Sequence, residues 1–397
     1  MVEQVSPTDV AGRGRDSTAS RPRIAFLIDE ISGLDGGGTE RQILQLIRLS
    51  KRLGYEPRLA VLRGAEWLSE GEIGCPIYSA GVGSLFRPSG WRACWSLIRW
   101  MRCERISLVQ TFFVECNVIG PWMARLAGVP VVIGSRRNLD QWMSRALAPI
   151  QELANRSTDC LLANSQEVAE TMIRDRGAPR AKIRVAYNGI DLQKFFGLDR
   201  QRSAFRQSLG LAPDEILVGN ISTMRRIKGV PDFVEAARLV HEKDPAIRFV
   251  LVGDGEDQQK VADLIRRYKL GSSVILAGAQ RDVRPYLAAM DVGVLSSLAE
   301  GFSNSLLEYM AAGLAVVATE VGGNREGLED TGILVPASDP QALADAILSL
   351  RSPALRKQFG QAARQRVTRF SLDQAERRME EIYSEMLSLK SPRKHQN

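Results

Sequence analysis

Arg23-Ile24-Ala25-Phe26-Leu27-Ile28, followed after a short gap by Gly36-Gly37-Gly38-Thr39-Glu40-Arg41, decides the fold. The first run is short, apolar and continuous, as suits a strand buried on both faces of a parallel sheet. Behind the glycines, Ile43, Leu44, Leu46, Ile47 and Leu49 recur at helical spacing, and Gly54 marks a stop. Strand, glycine loop and helix together open a doubly wound α/β sheet.

The alternation runs on. Further strands are expected over 58–62, 107–111, 129–133 and 160–163, each separated by enough chain for a crossover helix. A second series begins near Ile216, with strands over 216–221, 248–252, 274–277, 292–295 and 315–319. Between the two series, around 188–200, Asn188-Gly189 gives a turn and periodicity is lost. A chain of 397 residues also exceeds what one core usually organises. We therefore expect a loose tail over 1–20, an α/β domain over 21–190, a second over 200–370, and a terminal amphipathic helix and tail over 371–397. Two such lobes imply a cleft, and ligands settle beyond the carboxyl ends of parallel strands.

Composition narrows the class. Hydrophobic residues at 44% and charged residues at 25% fit a globular protein. No run of eighteen apolar residues offers a spanning helix, and the opening residues lack the apolar stretch of a secretory signal. The five cysteines are odd in number and never form a CxxC pair, so a reduced cytoplasmic setting is expected without disulfides or a zinc site. Residues 1–190 hold 25 basic and 19 acidic residues and all six tryptophans. That combination makes an anionic membrane surface a candidate partner. No nucleic-acid motif or long basic run accompanies it, so nucleic acid is not expected.

The loop after the expected strand 292–295 carries the chemistry: Ala299-Glu300-Gly301-Phe302-Ser303-Asn304-Ser305-Leu306-Leu307-Glu308-Tyr309-Met310-Ala311-Ala312-Gly313. Ser303, Asn304 and Ser305 are good helix-start residues, and the first-turn amides of a helix suit a diphosphate. Glu308 lies one turn further in, where a carboxylate can accept hydrogen bonds from ribose hydroxyls. Two glutamates seven residues apart also occur on ordinary surface helices. In this context, however, Glu300 to Glu308 resembles the E-x7-E motif of the large retaining glycosyltransferase family called family 4, the glycosyl transferases group 1.

Other segments extend that resemblance over most of 23–385. Gly37-Gly38-Thr39-Glu40-Arg41 resembles the family's glycine loop under the donor phosphates. Leu162-Ala163-Asn164-Ser165 and Tyr187-Asn188-Gly189-Ile190-Asp191 are similar to its interdomain segments. Val250-Leu251-Val252-Gly253-Asp254-Gly255 resembles its second-domain strand and loop, Arg281-Asp282-Val283 its base-contacting stretch, and 321–326 a loop beside the donor. The resemblance implies the GT-B fold: two Rossmann-like domains facing across a cleft, with the helix near 371–389 crossing back to the first. It also implies a nucleotide-sugar donor, a glycan or lipid-linked acceptor, and donor contacts from Gly37, Gly38, Gly253, Arg281, Val283, Ser303, Asn304, Ser305, Leu306 and Glu308.

Cleaving the bond between anomeric carbon and diphosphate leaves negative charge on phosphate, which fixed cations stabilise. Met224-Arg225-Arg226-Ile227-Lys228-Gly229 resembles the family's Arg/Lys pair. The commonest pattern puts the arginine five residues before the lysine, where Thr223 stands here. Arg225 is therefore favoured over Arg226 as the partner of Lys228. With Glu300 orienting the sugar, these are the expected catalytic residues. A metal would need a DxD-like or His-rich cluster in a strand-end loop. His241 and His395 are the chain's two histidines, and the sole acidic cluster, Asp254-Gly255-Glu256-Asp257, reads better as a turn and helix start, so neither metal nor cofactor is expected. Relatives place histidines in two first-domain loops where this chain has Val109-Gln110-Thr111-Phe112-Phe113 and Ser135-Arg136-Arg137-Asn138. Gln110 and Arg137 are the conjectured substitutes. A nucleotide-sugar epimerase and a catalytically silent sugar-nucleotide binding module remain as alternatives.

Overall fold

The computed structural model describes residues 21–31, 38–64, 68–82, 88–137 and 148–390. Among them, β1 (Arg23–Glu30), β2 (Glu56–Arg63), β3 (Ile77–Ser79), β4 (Ile106–Thr111), β5 (Val131–Arg136), β6 (Cys160–Ala163) and β7 (Ile183–Val185) form one sheet, in the order β3-β2-β1-β4-β5-β6-β7. A second sheet contains β8 (Ile216–Ile221), β9 (Ile247–Val252), β10 (Val274–Gly278), β11 (Val292–Leu295), β12 (Ala315–Thr319) and β13 (Ile333–Val335), in the order β10-β9-β8-β11-β12-β13. Every pairing is parallel. These are the two doubly wound sheets that the alternation of the sequence implies.

β3, β7 and β13 are not among the expected strands. Each is three residues long at a sheet edge, and its residues are mostly half-buried. Three residues, even the apolar Ile333-Leu334-Val335 of β13, fall short of the run of about four to eight that marks a strand in a sequence. β5 starts two residues later than expected, after Pro130, and runs on through Gly134-Ser135-Arg136. Ser135 and Arg136 are buried polar residues, which hid the strand's far end from a reading based on apolar runs.

Helix Leu372–Lys390 packs against the first sheet. Its Met379, Ile382, Tyr383 and Met386 belong to the same buried cluster as Ile24, Phe26, Ile43 and Ile47. Arg184 pairs with Glu385 at 2.8 Å and Lys390 with Asp159 at 3.2 Å, so ion pairs hold its outer face. The chain leaves the first lobe at Ile190 and returns at Ser371, and these residues form a parallel bridge with hydrogen bonds of 2.9 and 2.8 Å. Two crossings lying side by side let the lobes rotate about one line, as a hinge does.

Candidate active site

In each sheet the winding reverses between neighbouring strands, β1 and β4 in the first, β8 and β11 in the second. Loops leaving the carboxyl ends of these strands meet around a cavity of about 860 Å³ between the lobes. This is where doubly wound sheets bind ligands.

On the second-lobe wall, the turn after β8 carries Thr223, Arg225 and Lys228 into the lining. Lys228 Nζ lies 2.6 Å from Glu300 Oε1, which also accepts a 2.7 Å hydrogen bond from Ser297 Oγ. Glu300 is 9% exposed, so this carboxylate is held between a cation and a hydroxyl. Arg225 is exposed and lines the cavity. Arg226 does not line it, and its backbone amide turns to Glu256, 3.3 Å away. Gly253 also lines the cavity, at φ +133, and an added Cβ would sit 2.0 Å from the Ser222 carbonyl oxygen. The close approach of those two loops requires glycine there.

Helix Asn304–Ala312 starts at Ser303, whose Oγ accepts from the Leu306 amide at 3.4 Å. Ser305 Oγ donates to the carbonyl of Ile221 at 2.7 Å and the Ile221 amide donates to Tyr309 Oη at 2.6 Å, so the helix is fixed to the end of β8. Ser303, Asn304, Ser305 and Glu308 line the cavity. Leu306 does not: its side chain is fully buried and its amide serves the cap. Glu308 Oε1 stands 3.4 Å from Arg41 Nη1 of the first lobe. Burial raises the Glu308 carboxyl above its ordinary value, and Arg41 works in the opposite direction. Val283 lines the cavity with Ala279 and Gln280, whereas Arg281 is exposed and outside the lining. Gly38 lines it too, and Gly37 lies outside the described residues.

The first-lobe wall is built differently. Asp29, at the end of β1, accepts the amides of Glu115 and Cys116 at 3.0 and 2.7 Å, so a carboxylate already occupies the start of helix Val114–Leu126. Phe113 before that helix is at φ 60, ψ −179, a conformation that costs a non-glycine residue about 1–3 kcal/mol. The start of helix Asn304–Ala312 carries a neutral hydroxyl cap instead, with Lys228 and Arg225 nearby in the same cavity. An incoming anion is therefore favoured on the second-lobe side.

Of the two residues expected to stand in for histidines, Gln110 is turned away. It is 1% exposed, bonded to Ser135 Oγ at 2.8 Å and to Tyr383 Oη of the returning helix, and absent from the lining. Arg137 does line the cavity. Its Nη2 donates to Asn188 Oδ1 at 2.8 Å, and Asn188 Nδ2 donates to the Phe302 carbonyl at 2.9 Å and to Asn304 Oδ1 at 2.7 Å. The lobes are thus joined through Asn188, which sequence reasoning placed in an interdomain segment without a role. Glu326 went unassigned as well. Its carboxylate accepts from the Gln166 amide at 3.1 and 2.9 Å and from Tyr187 Oη. Gly322 and Gly323 pack under Glu300 and Gly301 rather than at the cavity. Among the described residues, no group of three or more His, Cys, Asp or Glu is placed to hold a metal ion.

A model of the family described as glycosyl transferases group 1 matches residues 213–352, and one described as a glycosyl transferase 4-like domain matches residues 37–189. The chain belongs to the group 1 glycosyl transferases. This group 1 transferase is 33% identical over 214 residues to N-acetyl-alpha-D-glucosaminyl L-malate synthase of Bacillus anthracis, a match covering 53% of the chain and 55% of the relative. It is 25% identical over 307 residues to the UDP-Gal:alpha-D-GlcNAc-diphosphoundecaprenol alpha-1,3-galactosyltransferase of Escherichia coli, covering 74% and 79%. The chain spans about half the length of the first of these relatives. Among solved structures, Anabaena HepE in complex with UDP superposes with a TM-score of 0.79 at 22% identity, over 91% of this chain and 100% of that one. That likeness carries the fold, and the group 1 transferase has the GT-B architecture.

Proposed function

We propose that this group 1 transferase moves a sugar from a nucleoside-diphosphate sugar to an acceptor hydroxyl, with retention of anomeric configuration and without a metal ion. The observation that carries the reading is Lys228 paired with Glu300 at 2.6 Å in the interlobe cavity, beside Arg225 and the open start of helix Asn304–Ala312. In this mechanism Lys228 leaves Glu300 for the diphosphate and, with Arg225, neutralises the charge that grows on it as the anomeric carbon–oxygen bond breaks. The backbone amides of Asn304 and Ser305 add to that. Glu308 receives the ribose hydroxyls, and Glu300, freed from Lys228, orients the sugar. The acceptor hydroxyl attacks from the face the diphosphate leaves, and its proton passes to a leaving phosphate oxygen. Asp29, with both oxygens bound to helix amides, is poorly suited to act as a nucleophile instead, which favours this same-face course. The name of the Escherichia coli relative, with UDP-Gal and a diphosphoundecaprenol-linked sugar, supports a donor and a lipid-linked acceptor of these classes.

The test is a thermal-shift screen against UDP, GDP, ADP, CMP and their sugar conjugates. One nucleoside diphosphate should raise the unfolding temperature equally with and without EDTA. At 100 times its Kd, a ligand contributes about 2.7 kcal/mol to stability. Stabilisation that disappears with EDTA would overturn the metal-free part, and an inverted product anomer by NMR would overturn retention. An epimerase would convert the donor with no acceptor present, and a silent binding module would bind it without turnover.

A lipid-linked acceptor would be met at a membrane, and helix Pro88–Cys103 offers a surface for it. Trp91 and Trp95 are 69% and 63% exposed, Arg92, Arg99 and Arg102 share that face, and the helix has no acidic residue. Leu126 is exposed on the neighbouring helix, whose carbonyl there accepts from Arg102. Aromatic rings flanked by arginine suit an anionic lipid interface. No helix among the described residues is long and apolar enough to cross a membrane. Cosedimentation with anionic phospholipid vesicles should weaken about tenfold when Trp91 and Trp95 become Ala, since each ring contributes buried apolar area. Unchanged binding would sink the assignment.

A further inference from the structure

The far end of β5 delivers Arg137 to the first-lobe side of the cavity, where its backbone carbonyl packs against Gly301, next to Glu300. Its guanidinium is poorly compensated. Nη2 donates to two neutral oxygens, Gln42 Oε1 at 3.2 Å and Asn188 Oδ1 at 2.8 Å. Nε is sealed from solvent without a partner. No carboxylate lies within ion-pair distance of it among the described residues. Two arginines of the same lining are treated differently: Arg63 meets Glu115 through two hydrogen bonds of 2.7 and 3.0 Å, and Arg41 meets Glu308. Burial draws Arg137 down to about 10, and Glu40 acts on it only through space, so it is still charged at neutral pH. A cation half withdrawn from water, with one nitrogen sealed and its partners neutral, is left short of compensation until an anion arrives. The diphosphate has its own cations, Lys228 and Arg225, on the opposite wall.

The geometry points to Arg137 as the seat of a second anionic group, a carboxylate or phosphate carried by the transferred sugar or by the acceptor. This rests on the nucleotide-sugar reading of the cleft. The competing account makes Arg137 a positioning residue that only holds Asn188 in the path to Asn304.

The test uses the full chain, its Arg137→Gln and Arg137→Lys variants, and the nucleoside diphosphate that stabilises the wild type. Affinities are measured for its glucose and glucuronic acid conjugates. Inorganic phosphate and glucose 1-phosphate are titrated separately, with and without the nucleotide. We expect one anionic probe to bind about tenfold or more tightly than its neutral counterpart, the strength of a charge-assisted contact. Preference for the glucuronic acid conjugate assigns the anion to the donor sugar, and phosphate binding assigns it to the acceptor. The preference should vanish in Arg137→Gln, survive in part in Arg137→Lys, and leave affinity for the bare nucleoside diphosphate unchanged. A wild type indifferent to all these anions overturns the inference. So does an Arg137→Gln protein that keeps the preference, or one that loses nucleotide and anion binding in equal measure. If no nucleotide binds at all, the donor-site reading fails by itself, and phosphate titrated alone still reports on Arg137.

Discussion

Turnover of the Lys228→Ala protein should fall about 100- to 1,000-fold, while its affinity for the donor changes far less. Before the bond breaks, the diphosphate already carries charge that Arg225 and the helix amides share with Lys228. The charge that appears during cleavage is what Lys228 is placed to meet, so its removal acts on the transition state more than on the bound donor. The substitution also leaves Glu300, 9% exposed, with Ser297 as its remaining partner. Some loss of thermal stability is therefore expected, and kcat should be measured below that unfolding range. Equal losses in donor affinity and in kcat would contradict the assignment.

The Gly301→Ala protein should keep both sheets and lose about 100-fold in kcat/KM, the effect expected when reacting groups are displaced by about 1 Å. An added Cβ would stand 2.1 Å from the Arg137 carbonyl oxygen and 2.9 Å from Asn164 Oδ1, both in the other lobe. The carbonyl belongs to backbone at the end of β5 and has no side-chain freedom with which to yield. Gly301 itself does not have positive φ, so alanine is locally acceptable and the conflict lies between the lobes. The far-UV circular dichroism of the variant should match the wild type. Wild-type rates would show that the lobes do not need this approach.

Much of the architecture was legible because the buried strands are written in one residue type. β1, β6, β8, β11 and β12 are apolar along most of their length and read directly. The Glu300–Glu308 segment and Lys228 were legible for a different reason: they stand in strand-end loops, after β11 and β8, and there resemble the motifs of a known family. What sequence could not supply is contact between distant residues. Asn188 meets Asn304 across 116 positions, and Gln166 meets Glu326 across 160. Nothing in either local segment foretells its partner. Gln110 was misjudged because its place near the end of β4 was clear but its direction was not, and Tyr383, 273 residues away, decides that direction. Arg281 was assigned from its stretch alone, and its neighbours Ala279, Gln280 and Val283 reach the cavity in its place.

The returning helix also bears on the order in which the protein can mature. Its Met379, Ile382, Tyr383 and Met386 complete the core of the first sheet, yet a ribosome makes them after the whole second sheet. Domains generally fold in the order they are synthesised. Here the amino-terminal lobe must wait, with the groove for that helix empty, while the second lobe emerges and closes on itself. A chain cut after residue 370 would therefore carry a finished second lobe and an incomplete first one, open to protease and chaperone.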